Sequence, residues 1–554
     1  MDAGDAMEKG PRALLLLPES HGPKIEDDSL ESTAFNGIST NLVVYLETVL
    51  HGSNIASASN VTTWFGTSYL TPIFGAIVAD TFLGNYNTIL VSLAVYLLGM
   101  MLVTFSAFLP TATDALCAAG AAASCDTGTG GVVAAQTVAF VGLYLVAIGS
   151  GGVRSSLLPF GAEQFDNDDA ADRERKAAFF SWFYLAVDFG LIVSGVLLVW
   201  IQQNVSWGLG FGIATACIAV AFAAFVLATP MYKRRLPTGT PLKSLCQVVV
   251  AAFRKVAVEI PADAELLYEV VNDKVDSSQP KIAHTGEFAF LDKAAVVSES
   301  DLEETPDAAA RSWKLCTVTQ VEELKILLRL MPIWATSIIV SAAYSQMNTT
   351  FIQQGSAMDM RILSVPVAPA SLGSFQVLCV LAWVLLYSKV IVPALRGFVA
   401  GGEPSQLQRM GAGRLFMALS MAVAALVEMK RLDAGGEKIT IAWQLPQYFF
   451  LAGAEVFCYI AQLEFFFGEA PDTMKSTCTA LALLTVALGS YLSSLIYAVV
   501  EAFTAAAGRP GWISDDLNQG HLDYFFWMMA AMCTLNFVVY SGFAKNYKLK
   551  TVLS

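Results

Sequence analysis

The sequence predicts an all-α membrane protein with twelve transmembrane helices in two halves of six, and three observations carry this prediction. Of the 554 residues, 55% are hydrophobic and only 14% are charged, whereas soluble globular proteins carry about 25% charge. Apolar runs of about 20 residues, the length that crosses a bilayer core as a helix, recur along the chain. One long polar segment, from Lys233 to about Val321, separates these runs into two groups.

The predicted spans are bounded by charged residues, glycine or proline. The first six lie near residues 34–52, 60–80, 88–109, 132–153, 178–201 and 208–230. The second six lie near residues 324–346, 371–393, 410–429, 442–468, 476–503 and 522–543. The chain therefore divides into a tail with the start of helix 1 (1–33), a first bundle (34–230), a linker (231–322), a second bundle (323–545) and a C-terminal tail (546–554).

The distribution of basic residues predicts the orientation, because lysine and arginine accumulate in cytosolic loops. With both termini in the cytosol, the cytosolic segments contain most of these residues, including Lys233, Arg234 and Arg235 at the start of the linker. The reversed orientation would place nearly all of them outside. We therefore expect cytosolic termini and a cytosolic linker, in either the plasma membrane or the vacuolar membrane.

Composition and motifs exclude several classes of protein. A net charge of −14 argues against nucleic acid as a partner, because duplex binding depends on basic residues that contact phosphate. The sequence has no Walker A motif, no nucleophile motif and no clustered histidines, so we expect no enzyme activity, no metal and no cofactor. A two-by-six layout with a long central loop is instead that of the major facilitator transporters, which bind substrate near the membrane midplane.

Two further features concern covalent modification. Cys117 and Cys125 fall in the predicted external loop between the third and fourth spans, where oxidation is permitted, and they either form a disulfide or remain free. Thr88 lies at the cytosolic start of the third span, where an added phosphate would meet a helix N-terminus. It is a candidate phosphorylation site or an ordinary exposed threonine.

Several motifs give the sequence a specific family resemblance. They are Gly75-Ala-Ile-Val-Ala-Asp80-Thr-Phe-Leu-Gly84, Gly149-Ser-Gly-Gly-Val-Arg154, Phe179-Phe-Ser-Trp-Phe-Tyr184, Val321-Glu-Glu-Leu-Lys-Ile-Leu-Leu-Arg329, Tyr344-Ser-Gln-Met347 and Gln462-Leu-Glu-Phe-Phe466. In this order and spacing, the chain closely resembles the proton-dependent oligopeptide transporter family, in particular its plant nitrate and peptide branch. The resemblance covers nearly the whole chain and implies transport of a small molecule by alternating access.

The end of the second predicted span contains a candidate conformational latch. Gly75 and Gly84 flank a short cytosolic turn in which the Asp80 carboxylate can accept hydrogen bonds from a helix N-terminus, where the dipole favours an anion. Such a latch would break and reform as the two halves move. Alternatively, Asp80 only caps the following helix.

Glu455 is the acidic residue that stands out within the spans. An ionisable group at the bilayer centre costs about 2.5–3.5 kcal/mol on insertion scales and usually marks a pathway or a relay. Glu455 matches the family's cavity carboxylate, which in peptide carriers meets the substrate's amino end; a structural acid is the alternative. Glu464 follows nine residues later, on the opposite helix face, and we expect it to pair between helices.

Other candidate substrate-binding residues follow from the resemblance. Arg154 occupies a helix 4 position, usually lysine, where a cation faces the central cavity, although a side chain that extends to the cytosolic boundary is an alternative. The aromatic residues Tyr45, Trp334 and Tyr344 would leave recognition of the substrate's side chains loose, or they serve ordinary helix packing. Tyr344 lies near the position where nitrate carriers are expected to have a histidine, and a phenol cannot become a cation near neutral pH.

Helix 1 departs from the family pattern. The family typically has Glu-x-x-Glu followed by a cation, whereas this chain has Asp28-Ser-Leu-Glu31-Ser32. Asp28 and Glu31 are candidate proton-coupling residues without the neighbouring cation. Asp188, within the fifth span, either pairs with Arg154 or provides a substitute proton site.

The leading functional prediction is therefore a secondary transporter of di- and tripeptides, driven by a proton gradient. A carrier of nitrate or another organic anion, such as a hormone or a glucosinolate, with or without proton coupling, is the alternative within the class. A membrane sensor or channel on the same scaffold is the alternative from another class. A carrier exchanges labelled for unlabelled substrate across the membrane, and a sensor or channel does not.

Overall fold

The fold is described from a computed structural model of the chain. The described residues are 25–118, 129–164, 187, 189–233, 241–256, 258, 267–268, 284–297, 313–362, 365–395, 404–434, 437–469, 475–505 and 510–547. Apart from one short hairpin, the secondary structure of this part of the chain is helical, which confirms the all-α prediction.

The first half consists of four long helices, α3, α4, α5 and α7, and three shorter ones. They are α1 (Ile25–Ser39), α2 (Leu42–Thr48), α3 (Asn54–Val78), α4 (Gly84–Ala118), α5 (Thr129–Glu163), α6 (Val199–Asn204) and α7 (Trp207–Leu227). The Ser53 side chain caps α3 by accepting a hydrogen bond from the Ala56 amide, as serine commonly does at this position. A π-helical turn, Ala79–Leu83, follows α3, and Gly84 at φ 73° then redirects the chain into α4, a conformation that glycine adopts without steric cost.

The linker contributes α8 (Pro241–Arg254) and a 3-10 turn, Ala289–Ala295. These two segments pack against each other and against the start of the next helix. The second half then consists of α9 (Val318–Tyr344), α10 (Thr350–Ser356), α11 (Leu372–Leu386), α12 (Val392–Leu395), α13 (Gln406–Asp433), α14 (Leu445–Ala454), α15 (Ala461–Glu469), α16 (Lys475–Thr504) and α17 (Leu522–Asn546).

Irregular turns interrupt the helices of both halves. π-helical turns occur at Ser194–Leu198, Tyr387–Ile391 and Glu455–Ile460. The hairpin pairs β1 (Arg361–Ile362) with β2 (Val365–Pro366) in antiparallel register. Capping boxes fix the starts of α9 and α13, where Thr317 pairs with Gln320 and Ser405 with Gln408.

Within the described residues, nine helical stretches are long and apolar enough to cross a membrane. One of them, Asn54–Leu109, has 56 residues, which at 1.5 Å per residue would extend about 84 Å against a bilayer core of about 30 Å. The turn before Gly84 divides it into the second and third predicted spans. The first predicted span differs from the structure, because the helix already begins at Ile25 and is interrupted between Ser39 and Leu42. The fifth is described from Phe189 to Asn204.

A line of hydroxyl groups joins the two halves along α3 and α16, and we call it the outer seam. Ser494 Oγ lies 2.6 Å from Ser59 Oγ and 2.9 Å from Thr63 Oγ1, and the Thr67 hydroxyl lies 2.9 Å from the Tyr491 hydroxyl. A Cβ at Gly66 would lie 3.0 Å from the Tyr491 ring. The seam lies toward the Asn54 end of α3, which faces away from the cytosol in the predicted orientation.

Candidate functional site

Glu455 stands at the first position of the π-helical turn between α14 and α15. Its Oε2 accepts a hydrogen bond of 2.9 Å from the Tyr344 hydroxyl and a second bond from the Gln376 side-chain amide. Three helical segments, α9, α11 and the π-helical turn, therefore meet at this carboxylate. Both of these donors are uncharged side chains.

Close packing by α13 supports the π-helical turn. A Cβ at Gly413 would lie 2.5 Å from the Cys458 backbone nitrogen, so the two backbones are in direct contact. The neighbouring Arg414 is fully buried and donates to Thr336 Oγ1 at 2.9 Å and to Ser337 Oγ at 3.0 Å, both on α9. Its guanidinium lies 3.8 Å from the centre of the Tyr540 ring. Turns of this type occur often at functional sites, and here one aims Glu455 toward α9.

Aromatic residues surround the Glu455 carboxylate. The Tyr344 ring contacts the Tyr459 ring edge to face at 5.4 Å, and the Tyr459 hydroxyl donates to Ser341 at 3.0 Å. Tyr69, on α3 of the other half, is close enough to interact electrostatically with Tyr344, Tyr459 and also Arg154. The Glu455 site therefore faces the first half of the protein.

A cationic site lies on the first half. Arg154 Nε, on α5, is 3.4 Å from Glu31 Oε1 on α1, and the Arg154 guanidinium lies 3.7 Å from the centre of the Phe35 ring. The Arg154 side chain is 27% exposed, whereas the Glu31 side chain is 10% exposed. Arg154 thus has an ion-pair partner and an aromatic support, and its side chain remains partly exposed.

The structure also accounts for the small residue at position 32. The Ser32 hydroxyl donates to the Val187 carbonyl at 2.8 Å, and a Cβ at Gly190 would lie 2.9 Å from the Ser32 Cβ. The segment that contains the predicted fifth span therefore packs directly on Ser32, and a long cationic side chain would need the space that this contact occupies. The Asp188 residue and the Asp28 side chain lie outside the described residues.

The predicted latch residues occupy a tightly packed corner. Asp80 is half-buried within the π-helical turn that follows α3. A Cβ at Gly75 would lie 2.9 Å from the Gly152 Cα and 2.6 Å from the Ser155 hydroxyl, so α3 and α5 approach closely here. Gly84 provides the positive φ at which the chain turns.

Two predicted substrate-binding residues serve helix packing in this structure. Tyr45 is fully buried, with its hydroxyl 2.8 Å from Ser106 Oγ. Trp334 donates its indole N–H to the Leu481 carbonyl at 2.9 Å. Neither makes a hydrogen bond to the groups around Glu455 or Arg154 among the described contacts.

The remaining predicted residues lie apart from the two charged sites. Thr88 is buried and donates to the Gly84 carbonyl at 2.9 Å, so a kinase would reach it only after a local opening. Glu464 pairs with Arg409 on α13 at 2.5 Å, as expected for a structural acid. Cys117 lies in the last turn of α4, but its side chain and Cys125 lie outside the described residues.

Sequence reasoning missed Gln376, Arg414 and Tyr69. Arg414 could have been found, because it is a charge within the predicted span 410–429 and thus meets the same criterion as Glu455. Gln376 is likewise a polar residue within an apolar run. Tyr69 gives no such signal, since a tyrosine in a membrane helix is compatible with ordinary packing.

Among the described residues, one cluster has a composition that could hold a metal, namely His284, Asp292 and Glu322. The Lys325 ammonium, however, lies 2.7 Å from Asp292 and 2.9 Å from Glu322. This buried ammonium takes the position that a metal cation would need, and the Arg329 guanidinium, 3.9 Å from Glu322, adds a second positive charge beside the two carboxylates. This cluster is therefore an ion-pair network that joins the linker to α9.

Two helical halves, with a partly exposed cation on one and a hydrogen-bonded carboxylate on the other, thus form the frame of the candidate site. The sequence model of the POT family, PTR2, matches residues 86–513. The chain is 48% identical over 541 residues to Protein NRT1/PTR FAMILY 8.3 of Arabidopsis thaliana, covering 95% of this chain and 91% of that protein. It is 46% identical over 534 residues to the 8.5 member of the same plant, covering 95% and 89%.

Solved structures have the same fold. A crystal structure of an auto-inhibited POT family peptide transporter superimposes with a TM-score of 0.71 at 20% identity, covering 95% of this chain and 96% of that chain. The POT family transporter PepTSo gives 0.69 at 20% identity, covering 96% and 99%. The chain therefore belongs to the POT family. It is a multi-pass membrane transporter of a small molecule and not an enzyme.

Proposed function

We propose that this protein transports di- and tripeptides by alternating access in symport with protons. The observation that carries the proposal is the pair of oppositely charged sites on the two halves: Arg154, partly exposed beside Glu31, and Glu455, held by Tyr344 and Gln376. A peptide zwitterion has a carboxylate for the cation and an ammonium for the acid. Its binding would draw the two halves together around it.

The Arg154 and Glu31 pair supports proton coupling without a cation at position 32. Arg154 can pair with Glu31 or with a substrate carboxylate, and full engagement of the substrate would weaken the pair with Glu31. A buried carboxylate without its counter-ion is costly, and a bound proton removes that cost. Substrate binding and protonation of Glu31 would then favour each other.

An anion carrier is less compatible with this arrangement. Arg154 alone could bind nitrate, but the Glu455 carboxylate would repel an anion on the facing half. Tyr344 donates its hydroxyl to Glu455, so this phenol is already engaged. Peptide is therefore the substrate class that uses both charged sites.

The proposal is tested with purified protein in proteoliposomes. Labelled dipeptide uptake should be accelerated by an inwardly directed proton gradient, and unlabelled dipeptide on the far side should accelerate label efflux, as a carrier requires. The Glu455→Gln variant should lose uptake, whereas Glu464→Gln, a control at a surface ion pair, should keep it. Uptake of nitrate without competition from dipeptide, or full dipeptide uptake by Glu455→Gln, would overturn the proposal.

We also infer that both termini face the cytosol, in the plasma or the vacuolar membrane. The excess of lysine and arginine in the segments assigned to the cytosol supports this orientation. Fluorescent fusions at the C-terminus identify the membrane, and protease sensitivity of that fusion in sealed vesicles identifies the side.

A further inference from the structure

The linker helix α8 has an exposed apolar face, which we call the outer stripe. It consists of Cys246, Val249, Phe253 and Val256, the last just beyond the helix end, and the Phe253 and Val256 side chains are 75% and 61% exposed. Steps of three and four residues place these side chains on one side of a helix. Three large apolar side chains on one exposed face of a helix are typical of a surface that binds another protein or a membrane.

The fold of the linker does not require this stripe. The opposite face of α8, with Val248, Ala251 and Ala252, is buried against the 3-10 turn of the linker and against Val321 on α9. This buried face is sufficient to anchor the helix on the second half. The helix therefore has two apolar faces, one packed within the protein and one directed outward.

The stretch of sequence that leads into the stripe and contains most of it is basic. Between Lys233 and Lys255 the sequence has six basic residues and no acidic residue, although the whole chain has a net charge of −14. Arg254 is exposed next to Phe253. The Lys293 ammonium donates to the Val256 carbonyl, which places another cation at the end of the stripe. The surface combines exposed apolar side chains with cations. It is therefore complementary to a surface that has anionic groups on the outside and apolar groups beneath them.

The position of α8 places the stripe near the bilayer. Its buried face belongs to one cluster with Val321, Leu324 and Leu328, which lie in the first turns of the membrane-crossing stretch Val318–Ser356. A helix attached there lies beside the cytosolic end of this stretch in the predicted orientation. Basic helices with one apolar face lie in this interfacial region, and the cytosolic leaflet is rich in anionic lipid that attracts lysine and arginine.

We propose that α8 docks on the cytosolic leaflet of the membrane through its outer stripe, with anionic phospholipid as its partner. The docked helix connects the bilayer to α9 through the linker, because Lys325 on α9 is held by Asp292 of the linker at 2.7 Å. The composition of the cytosolic leaflet would then influence the cytosolic end of α9, the helix whose opposite end carries Tyr344. This inference rests on the linker alone and is independent of the substrate class.

Cys246 lies within the stripe and offers a direct probe. The full-length protein, with its other cysteines replaced by serine or alanine, is labelled at Cys246 with an environment-sensitive fluorophore. It is placed in nanodiscs of phosphatidylcholine alone or of phosphatidylcholine with phosphatidylserine. We expect spin-labelled lipid to quench the fluorophore several-fold more in the phosphatidylserine discs, and high salt to weaken this difference.

Two variants and one control position complete the experiment. Phe253→Ser and Arg254→Gln alter exposed side chains, so both should fold, elute as the parent protein does, and lose the lipid quenching. A fluorophore at Gly286→Cys, outside the stripe and with open space around its added Cβ, should show no dependence on phosphatidylserine. Equal access of aqueous iodide to Cys246 in both discs would overturn the proposal. Protection that appears only with two transporters per disc, or only with added cytosolic protein, would also overturn it.

Discussion

The Tyr344 hydroxyl donates a hydrogen bond of 2.9 Å to the Glu455 carboxylate and thereby connects the end of α9 to the π-helical turn before α15. Tyr344 closes one side of the acidic site, and Gln376 closes another. The orientation of this carboxylate is therefore set by residues on two other helices.

Replacement of Tyr344 by phenylalanine should weaken peptide binding and leave the ring packing intact. A hydrogen bond to a charged group contributes about 1.5–3 kcal/mol, so we expect KM for a dipeptide to rise by about 10- to 100-fold. Uptake kinetics in proteoliposomes measure this change. Tyr459→Phe removes a hydroxyl that donates to Ser341 instead, and an equal effect in both variants would contradict a specific role for the bond to Glu455.

The Glu31→Gln variant should uncouple transport from the proton gradient. Glutamine keeps the size of the side chain beside Arg154, 3.4 Å away in the parent protein, but it cannot bind and release a proton. We expect exchange of labelled for unlabelled peptide to persist while the gradient no longer accelerates net uptake. Glu464→Gln is the control, and a normal response of Glu31→Gln to the gradient would refute the coupling role.

Arg414 should act as a positioning residue for the Glu455 site. Its replacement by glutamine removes the cation above Tyr540 and shortens the reach to Thr336 and Ser337, which would loosen the packing of α13 against the π-helical turn. We expect a higher KM for dipeptide, with partial rescue in Arg414→Lys.

Thermal unfolding of the same Arg414 variants separates positioning from general stability. Arg409→Gln, which breaks the surface pair with Glu464, should leave KM unchanged. A lower melting temperature with unchanged KM in Arg414→Gln would show that Arg414 only stabilises the bundle.

The Ser494→Ala variant should favour opening at the outer seam. It removes the hydroxyl that contacts both Ser59 and Thr63, and each neutral hydrogen bond contributes about 1 kcal/mol. The population with an open seam should rise by about 10- to 30-fold, measured by the distance between spin labels on the outer ends of α3 and α16. Ser541→Ala, which loses a bond within its own helix, is the control and should not move these labels.

The linker thiol Cys316 reports whether the linker is docked on α9. Burial raises the pKa of this thiol from its ordinary value of 9.0 to about 11, and thiolate is the reactive form. At pH 8 only about one molecule in a thousand has a thiolate here, so Cys316 should resist alkylation whereas the exposed Cys246 reacts. The raised pKa means that docking is fully stabilised below pH 9 and weakens as the pH rises through about 11.

Mass spectrometry of alkylated full-length protein measures both sites in one experiment. Lys325→Ala should undock the linker and make Cys316 reactive at pH 8, while Lys430→Ala, at a distant cation-π pair with Trp443, should not. Rapid alkylation of Cys316 in the parent protein at pH 8 would contradict a docked linker.

The sequence identified Glu455 and Arg154 because a charge within an apolar run is conspicuous, and the same logic applies to Arg414. It gave no sign of the π-helical turn at Glu455, since an extra residue in a helical turn depends on the contact with Gly413 and leaves the apolar pattern unchanged. The contact between Gly190 and Ser32 is also tertiary. Aromatic residues are ambiguous for a related reason, because Tyr45 and Trp334 bury their rings in packing as readily as in a cavity.

The outer seam consists of hydroxyl groups and no charged side chain: Ser59, Thr63, Thr67, Tyr491 and Ser494. A transmembrane potential acts on a step in proportion to the charge that the step displaces, about 2.3 kcal/mol per elementary charge per 100 mV. Separation of these hydroxyl groups displaces no formal charge. Separation of these hydroxyl groups should therefore be insensitive to voltage, whereas a step that moves Glu31, Arg154 or Glu455 across part of the membrane should respond to it.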